Sequence, residues 1–387
     1  MKKKIVFSID TLLVGGIEKV LIELLKNISK ERYEVTLLIG YKMDELEKLK
    51  NEIPKEVEIK YILEENIYTD GKKRKAMGTL DKLGKIFFEA TSFIRKIAFK
   101  KRLLEYVKGA DTVIDFDMTL ASYAKDVDKN IVTFCHFSPK NYNRGIKRRQ
   151  ERHGKKLAMY DKVVVISEDM KKEAEEMYPF LSNKLVTIYN SFNIDELLRK
   201  SNESIDENDK KLMAKKYILS IGRLEETQKD FTTLIKAYKN ASKKIEEKLY
   251  IIGDGRHREN LEKLIEELDL KDRVVLLGFR KNPYPWIKNA SFFVHSSKFE
   301  GLPTVLIEAS ILGKAIISTD CPTGPREILL DGETGILTKI GDSEDLGKAI
   351  EKMSQSEELK AKYSILAKEK SKRFSSEEVM KKVEMVI

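Results

Sequence analysis

Two stretches of this chain share one layout, and that repetition limits the fold more than any other feature. KKKIVFSIDTLLVGGIEKVLIELLKNI near the start and KKYILSIGRLEETQKDFTTLIKAYKNA from Lys215 each run as an apolar strand, a loop with glycine and an amphipathic helix. Such a unit opens a doubly wound βαβ half, so its recurrence predicts two Rossmann-like α/β domains rather than one long sheet. A length of 387 residues agrees with two domains of roughly 150 residues each.

The strands expected next in the first domain are EVTLLI (34–39), DTVIDFD (111–117), NIVTFCH (130–136), DKVVVIS (161–167) and KLVTIYN (184–190). KLYIIGDG, RVVLLGF, ASFFVHSS and KAIIST continue the second. These are short β-rich apolar runs of the kind that parallel sheets bury on both faces. NIDELLRKSNESIDENDKKLMAKK is polar and poor in β-branched residues, and reads as the linker. The expected organisation is a first domain over 1–192, a linker over 193–214 and a second domain over 215–371. A capped helix over 372–387 packs back on the first domain. Ligands of such sheets sit outside the carboxyl ends of the strands, and two facing domains make one cleft.

Hydrophobic residues at 41% and charged residues at 35% describe a soluble globular chain, and no segment approaches the roughly 18 uninterrupted apolar residues of a membrane span. MKKKIVFSIDTLL begins like a secretion signal, but Asp10 interrupts it and a first strand is the better reading, so no export is expected. Cys135 and Cys321 lie far apart, and His136, His153, His257 and His295 are scattered. That fits a reducing cytoplasm and no metal site. The net charge of +10 implies an anionic partner, and its densest blocks, 71–104 and 140–156, both fall in the first half.

Chemistry-bearing motifs cluster in the second half. GRLEETQKDF places Gly222, Arg223 and Lys229 after a strand, where glycine lets a ligand approach and the two cations can clamp a diphosphate. IIGDG places Gly253 after the next strand; a tight turn is the plainer reading and close ligand approach the alternative. KFEGLPTVLIEA sets Glu300 and Glu308 around Gly301, Leu302, Pro303 and Thr304. Pro303 suits the first position of a helix running to Ile311 or Leu312, which would bury Glu308 among apolar neighbours where an unpaired carboxylate is costly. One reading makes Glu308 part of a structural ion pair and leaves Glu300 in solvent. The other gives the helix N-terminus near 301–304 a phosphate, Glu308 the paired hydroxyls of a ribose, and Glu300 the group hanging from the phosphates. A nucleotide diphosphate sugar satisfies all three demands.

The set GRL…QKDF, IIGDG, VVLLGF and Glu300-Gly-Leu-Pro followed by Glu308 (E-x7-E) resembles the GT-B glycosyltransferases of family four. DKVVVISEDMKKE, VTIYNSFN and DCPTGPREILLDGETGILTKIGD extend the likeness over nearly all of 1–387, most loosely over 51–108. The resemblance implies two Rossmann-like domains facing across a cleft, a donor held mainly by the second, and retention of anomeric configuration. Residue by residue it implies that Arg223 and Lys229 neutralise the leaving diphosphate, Glu308 holds the ribose and Glu300 contacts the donor sugar. The helix near Pro303 takes the phosphates, Gly15 and Gly16 line the opposite side, and His136 lies near the sugar. Asp230 departs from the glycine or asparagine common after that lysine. Asp115-Phe-Asp117 has the D-x-D spacing of metal-dependent transferases, but this family neutralises its diphosphate with Arg and Lys, so no metal and no cofactor are expected.

The expected activity is transfer of a sugar, UDP-linked by family frequency, to a glycan or lipid-linked glycan in cell-surface polysaccharide synthesis. A sugar-nucleotide epimerase on the same scaffold is one rival. A basic nucleic-acid-binding protein is another, although no recognised RNA or DNA module is present, and no nucleic-acid partner is expected. The segment 82–107 sets Ile86, Ala90, Phe93, Ile94, Ile97 and Leu104 at helical spacing among Lys85, Arg95, Lys96, Lys100, Lys101 and Arg102. That reads either as a core-packed helix or as one lying on an anionic membrane. The expected location is cytoplasmic, peripheral on the inner face of the cell membrane.

Overall fold

The computed structural model describes residues 2–143 and 145–387; Met1 and Arg144, the latter within the second basic block, lie outside them. The chain divides into two compact units. The first comprises the chain up to Ile166, Met170–Ser191 and Val379–Ile387; the second comprises Ser167–Asp169 and Phe192–Glu378.

In the first unit, β1 (Lys3–Ile9), β2 (Tyr33–Tyr41), β3 (Glu58–Leu63), β4 (Thr112–Asp115), β5 (Asn130–Cys135), β6 (Lys162–Val165) and β7 (Leu185–Thr187) form one sheet. Its order is β3-β2-β1-β4-β5-β6-β7 and every pairing is parallel. Helices α1 (Gly16–Asn27), α2 (Asn66–Ala76), α3 (Lys82–Ala90) and α4 (Ser92–Val107) follow β1 and β3. Phe7 and Ile9 of β1, Leu37 and Ile39 of β2, and Leu21 and Leu25 of α1 meet in one core. Val379, Met380, Val383 and Val386 of the last segment join that core, so the chain ends inside the unit in which it began.

In the second unit, β8 (Tyr217–Ile221), β9 (Lys248–Ile252), β10 (Val274–Gly278), β11 (Phe292–His295), β12 (Ile316–Thr319) and β13 (Ile336–Thr338) form a sheet of order β10-β9-β8-β11-β12-β13. Its strand pairings are likewise parallel. Residues 193–214, read from sequence as a linker, contain two helices, Ile194–Lys200 and Glu207–Met213, counted with this unit. They are tied to it: Arg280 reaches Asp209 at 2.9 Å, and Asn282 donates to the Lys200 carbonyl at 2.9 Å.

The segment 82–107 is not one helix. It breaks at Thr91 into α3 and α4, and its apolar residues divide between two directions. Phe99, Leu103 and Val107 are buried, with Arg95 in line with them at fourfold spacing. Ile86, Phe93, Ile94 and Ile97 are exposed.

Candidate active site

A doubly wound sheet opens a crevice outside the carboxyl ends of the strands where its order reverses. In the second unit that point lies between β8 and β11. The loop after β8 carries Gly222, Arg223 and Lys229, and the loop after β11 carries Glu300 to Pro303. One ion pair joins the two loops: Lys229 Nζ lies 2.6 Å from Glu300 Oε1.

Glu300 is 8% exposed and held by four donors. Besides Lys229, Ser297 Oγ donates to Oε1 at 2.6 Å and Gln228 Nε2 donates to Oε2 at 3.2 Å. His295 Nε2 faces Oε1 at 3.2 Å, and its Nδ1 faces Ser318 Oγ on β12 at 3.1 Å. An ionised carboxylate only accepts, so the His295 proton that matters is on Nε2. Burial would raise the Glu300 carboxyl, but the His295 hydrogen bond and the Lys229 ammonium outweigh it and hold the pKa at about 2. Burial lowers His295 despite the carboxylate beside it. Sequence reasoning passed over His295. The available signal was the abrupt change from FFV to His-Ser-Ser at the end of a buried strand.

The expected burial of Glu308 is corrected. The helix runs Thr304–Ile311 with Pro303 as its N-cap, one residue later than expected, and Leu306, Ile307, Ala309, Ser310 and Ile311 are its buried side. Thr304, Val305 and Glu308 share the remaining, half-exposed side, so Glu308 does not face the apolar core. The buried carboxylate of this stretch is Glu300, which is not in solvent. Leu302 and Pro303 have buried side chains, so any ligand they meet would meet their backbone. The first turn of the helix has no side-chain cap. The loop before it is clamped: Thr323 Oγ1 donates to the carbonyls of Glu300 at 3.0 Å and Gly301 at 2.8 Å.

Gly253 sits at φ +139°, where a Cβ would lie 1.9 Å from the Gly222 carbonyl oxygen. The neighbouring backbone therefore requires this glycine whether or not a ligand is bound. Arg223 is exposed and makes no ion pair among the described residues. Asp230, buried, adopts φ +52° and caps the helix Phe231–Ala241. That left-handed geometry is one which glycine and asparagine also adopt readily, which accounts for the tolerated departure.

The first unit reverses its strand order between β1 and β4, and there the Asp10 N–H donates to Asp117 Oδ2 at 2.9 Å. Asp115 is fully buried and accepts from the N–H groups of Thr119 and Leu120 and from the Tyr160 hydroxyl. Burial, with Asp117 beside it, pushes its carboxyl above the usual carboxylate range. Its oxygens are thus committed to the protein, and among the described residues no cluster of three metal-ligating side chains occurs. Half-buried His136 donates from Nε2 to the Phe116 carbonyl at 2.9 Å. Burial lowers its pKa to about 4, so at neutral pH Nδ1 is an uncharged acceptor. Asp10, Asp117, His136, Tyr41, Phe99 and Tyr123 line a cavity of about 370 Å3. Gly15 caps α1 with extended backbone, and Gly16 is exposed beside it.

Residues 14–196 match the model of the Glycosyltransferase Family 4 domain, and residues 201–370 match that of Glycosyl transferases group 1. The chain belongs to the group 1, family 4 glycosyltransferases. Among curated glycosyltransferases it is 34% identical over 258 residues to an uncharacterized one, MJ1059, of Methanocaldococcus jannaschii, covering 59% of this chain and 63% of the relative. It is 33% identical over 219 residues to the N-acetylgalactosamine-N,N'-diacetylbacillosaminyl-diphospho-undecaprenol 4-alpha-N-acetylgalactosaminyltransferase of Campylobacter jejuni, covering 56% of this chain and 58% of the relative. The matches thus span about three-fifths of the length of these two relatives. The fold is that of HepE of Anabaena, solved with UDP and glucose, at a TM-score of 0.75, 16% identity and coverage of 99% and 98% of the two chains.

Proposed function

We propose that this chain is a retaining glycosyltransferase that moves a hexosyl group from a UDP-sugar to a glycan or lipid-linked glycan during cell-surface polysaccharide synthesis. The observation that carries the reading is the ion pair of half-buried Lys229 with buried Glu300 at the strand-order reversal of the second unit. A lysine beside that crevice, with exposed Arg223 on the same loop, suits the negative charge that develops on a departing diphosphate. Two side-chain cations can carry that charge without a metal.

Glu300, held at about 2, is ionised at neutral pH and a weak proton acceptor there, so its part is to hold donor-sugar hydroxyls rather than to deprotonate the acceptor. The uncapped N–H groups of the helix Thr304–Ile311, preceded by Gly301, Leu302 and Pro303, take phosphate oxygens. Glu308, on the half-exposed side of that helix, takes the ribose hydroxyls. Gly222 and Gly253 let the two adjoining loops approach one another beneath the nucleotide. In the first unit, Gly15 and Gly16 leave the end of β1 open, and neutral His136 offers Nδ1 to a sugar hydroxyl. The lipid-linked acceptor named for the Campylobacter relative supports an acceptor of that class here, and with it a peripheral position on the inner face of the cell membrane. Among the described residues no helix is long and apolar enough to cross a membrane.

A thermal-shift series with UDP and UDP-sugars, with and without EDTA, tests the donor side. Stabilisation that survives EDTA and disappears in Glu308→Ala is the expected result; stabilisation abolished by EDTA would refute a diphosphate held by side-chain cations. Proton NMR of the product anomer decides retention. Turnover of a nucleotide sugar to its epimer without acceptor would point to the rival activity.

A further inference from the structure

Helix α3 has nine residues and buries none of them. Isolated helices shorter than about 12 residues are marginal in water, so its stability must come from covering one face. Leu83, Ile86, Phe87 and Ala90 fall at i, i+3, i+4 and i+7, which makes an apolar stripe, and that stripe points into solvent. The other side is anchored: Arg95 stacks on the Phe88 ring at 3.7 Å, and Asp81 caps the helix through the Gly84 N–H at 3.0 Å. Across Thr91, α4 buries Arg95, Phe99, Leu103 and Val107 and turns Phe93, Ile94 and Ile97 outward. Leu83, Ile86, Phe87, Phe93, Ile94 and Ile97 are between 55% and 76% exposed, within one stretch of 15 residues.

The charge around them is one-sided. Residues 82–108 contain eight Lys and Arg and two Glu, a balance of 8 − 2 = +6. Lys100 and Arg102 are occupied with Asp126 and Glu65, but Lys82, Lys85, Lys96 and Lys101 are exposed and make no ion pair among the described residues. A second copy of this chain would set like charges against one another. An anionic sheet of headgroups satisfies the lysines while its acyl boundary covers the apolar stripe.

We propose that the α3–α4 elbow is a membrane-docking surface that inserts Leu83, Ile86, Phe87, Phe93, Ile94 and Ile97 into the interface of an anionic bilayer, with Lys82, Lys85, Lys96 and Lys101 at the headgroups. It deepens the lipid-linked acceptor reading and rests on it for its purpose, but it is tested by binding and not by transfer. Flotation of the full chain with phosphatidylcholine vesicles containing phosphatidylglycerol should carry it upward, and with phosphatidylcholine alone should not. The triple variant Phe93→Ser, Ile94→Ser, Ile97→Ser should lose roughly tenfold or more of that binding, consistent with the apolar transfer free energy of such side chains. Charge reversal at Lys82, Lys85, Lys96 and Lys101 should remove the salt-sensitive part.

Phe93→Trp supplies a direct readout. The native Trp286 is 1% exposed in the second unit, so a blue shift and quenching by brominated lipid report position 93. Absence of flotation, binding unchanged in the triple variant, or a dimer in vesicle-free solution that Phe93→Ser dissociates would each overturn the proposal. UDP stabilisation measured on the same variants separates the two readings. Flotation without UDP binding would leave the surface standing and remove the transferase reading, and the converse would do the reverse.

Discussion

Glu300 is an acid kept ionised in a nearly dry place, and its four donors come from two loops and a strand end. Glu300→Gln preserves shape and removes the charge; transfer should fall about 100-fold or more, while UDP stabilisation in a thermal-shift assay persists. Lys229→Ala leaves the carboxylate buried without its ammonium. The second unit should lose about 3 kcal/mol, seen in urea unfolding. The pH dependence has a definite sign. Glu300 is depressed from 4.5 to about 2, so its stabilisation is present above pH 4.5 and lost as pH falls towards 2. His295 is also depressed, from 6.5, and acts in the same direction from that pH downward. His295→Gln keeps a donor beside Glu300 and removes the titrating ring. In that variant, the loss of stability starting near pH 6.5 should shrink and the one below pH 4.5 should remain, as followed by near-UV circular dichroism. Glu300 was named from sequence because a known motif surrounds it, whereas His295 was not, because nothing local says that a strand-terminal histidine faces a carboxylate five residues on.

Among the elements, the strands read from sequence are short apolar runs. β3, Glu58–Leu63, begins with exposed charge at the sheet edge, and β13 has only one buried residue, so neither carries enough apolar pattern to be read. The loops at the end of β8 and β9 are joined by a contact that only coordinates reveal. Gly253→Ala would place a methyl carbon 1.9 Å from the Gly222 oxygen at a φ of +139°. A loss of about 2 kcal/mol or more and of UDP stabilisation is expected, measurable by urea melts with and without nucleotide. Asp230→Asn, by contrast, retains both the cap and the left-handed backbone and should cost under about 1 kcal/mol. A β-branched residue at position 230 should cost more, from steric strain. Division of 82–107 at Thr91 was hidden because both halves continue the same apolar-basic spacing, and a wheel drawn over the whole cannot show that Phe99, Leu103 and Val107 are buried while Ile86, Phe93, Ile94 and Ile97 stay exposed.

For the whole molecule, the last nine residues belong to the unit that contains the first strand and supply four side chains to its core. Val379, Met380, Val383 and Val386 are buried there, and aliphatic side chains of that size contribute about 2 kcal/mol each. Their sum is comparable with the roughly 5–15 kcal/mol that holds a domain folded. A chain ending at Glu378 should therefore lose cooperative unfolding of the first unit while the second retains its own, which limited proteolysis and calorimetry would resolve. The chain's organisation into two doubly wound units was legible in the repeated strand–loop–helix opening, because burial on both faces of a parallel sheet forces apolar runs into the sequence itself.

Residue order alone thus determined the two α/β units, their strand-end loops and the family, since each depends on local pattern or on motifs contiguous in the chain. Tertiary structure decided which of two glutamates is buried, which lysines remain unpaired and which side of α3 and α4 stays bare. Those outcomes depend on neighbours tens to hundreds of residues away. Periodicity records that a face is apolar, but only packing fixes whether the protein covers it.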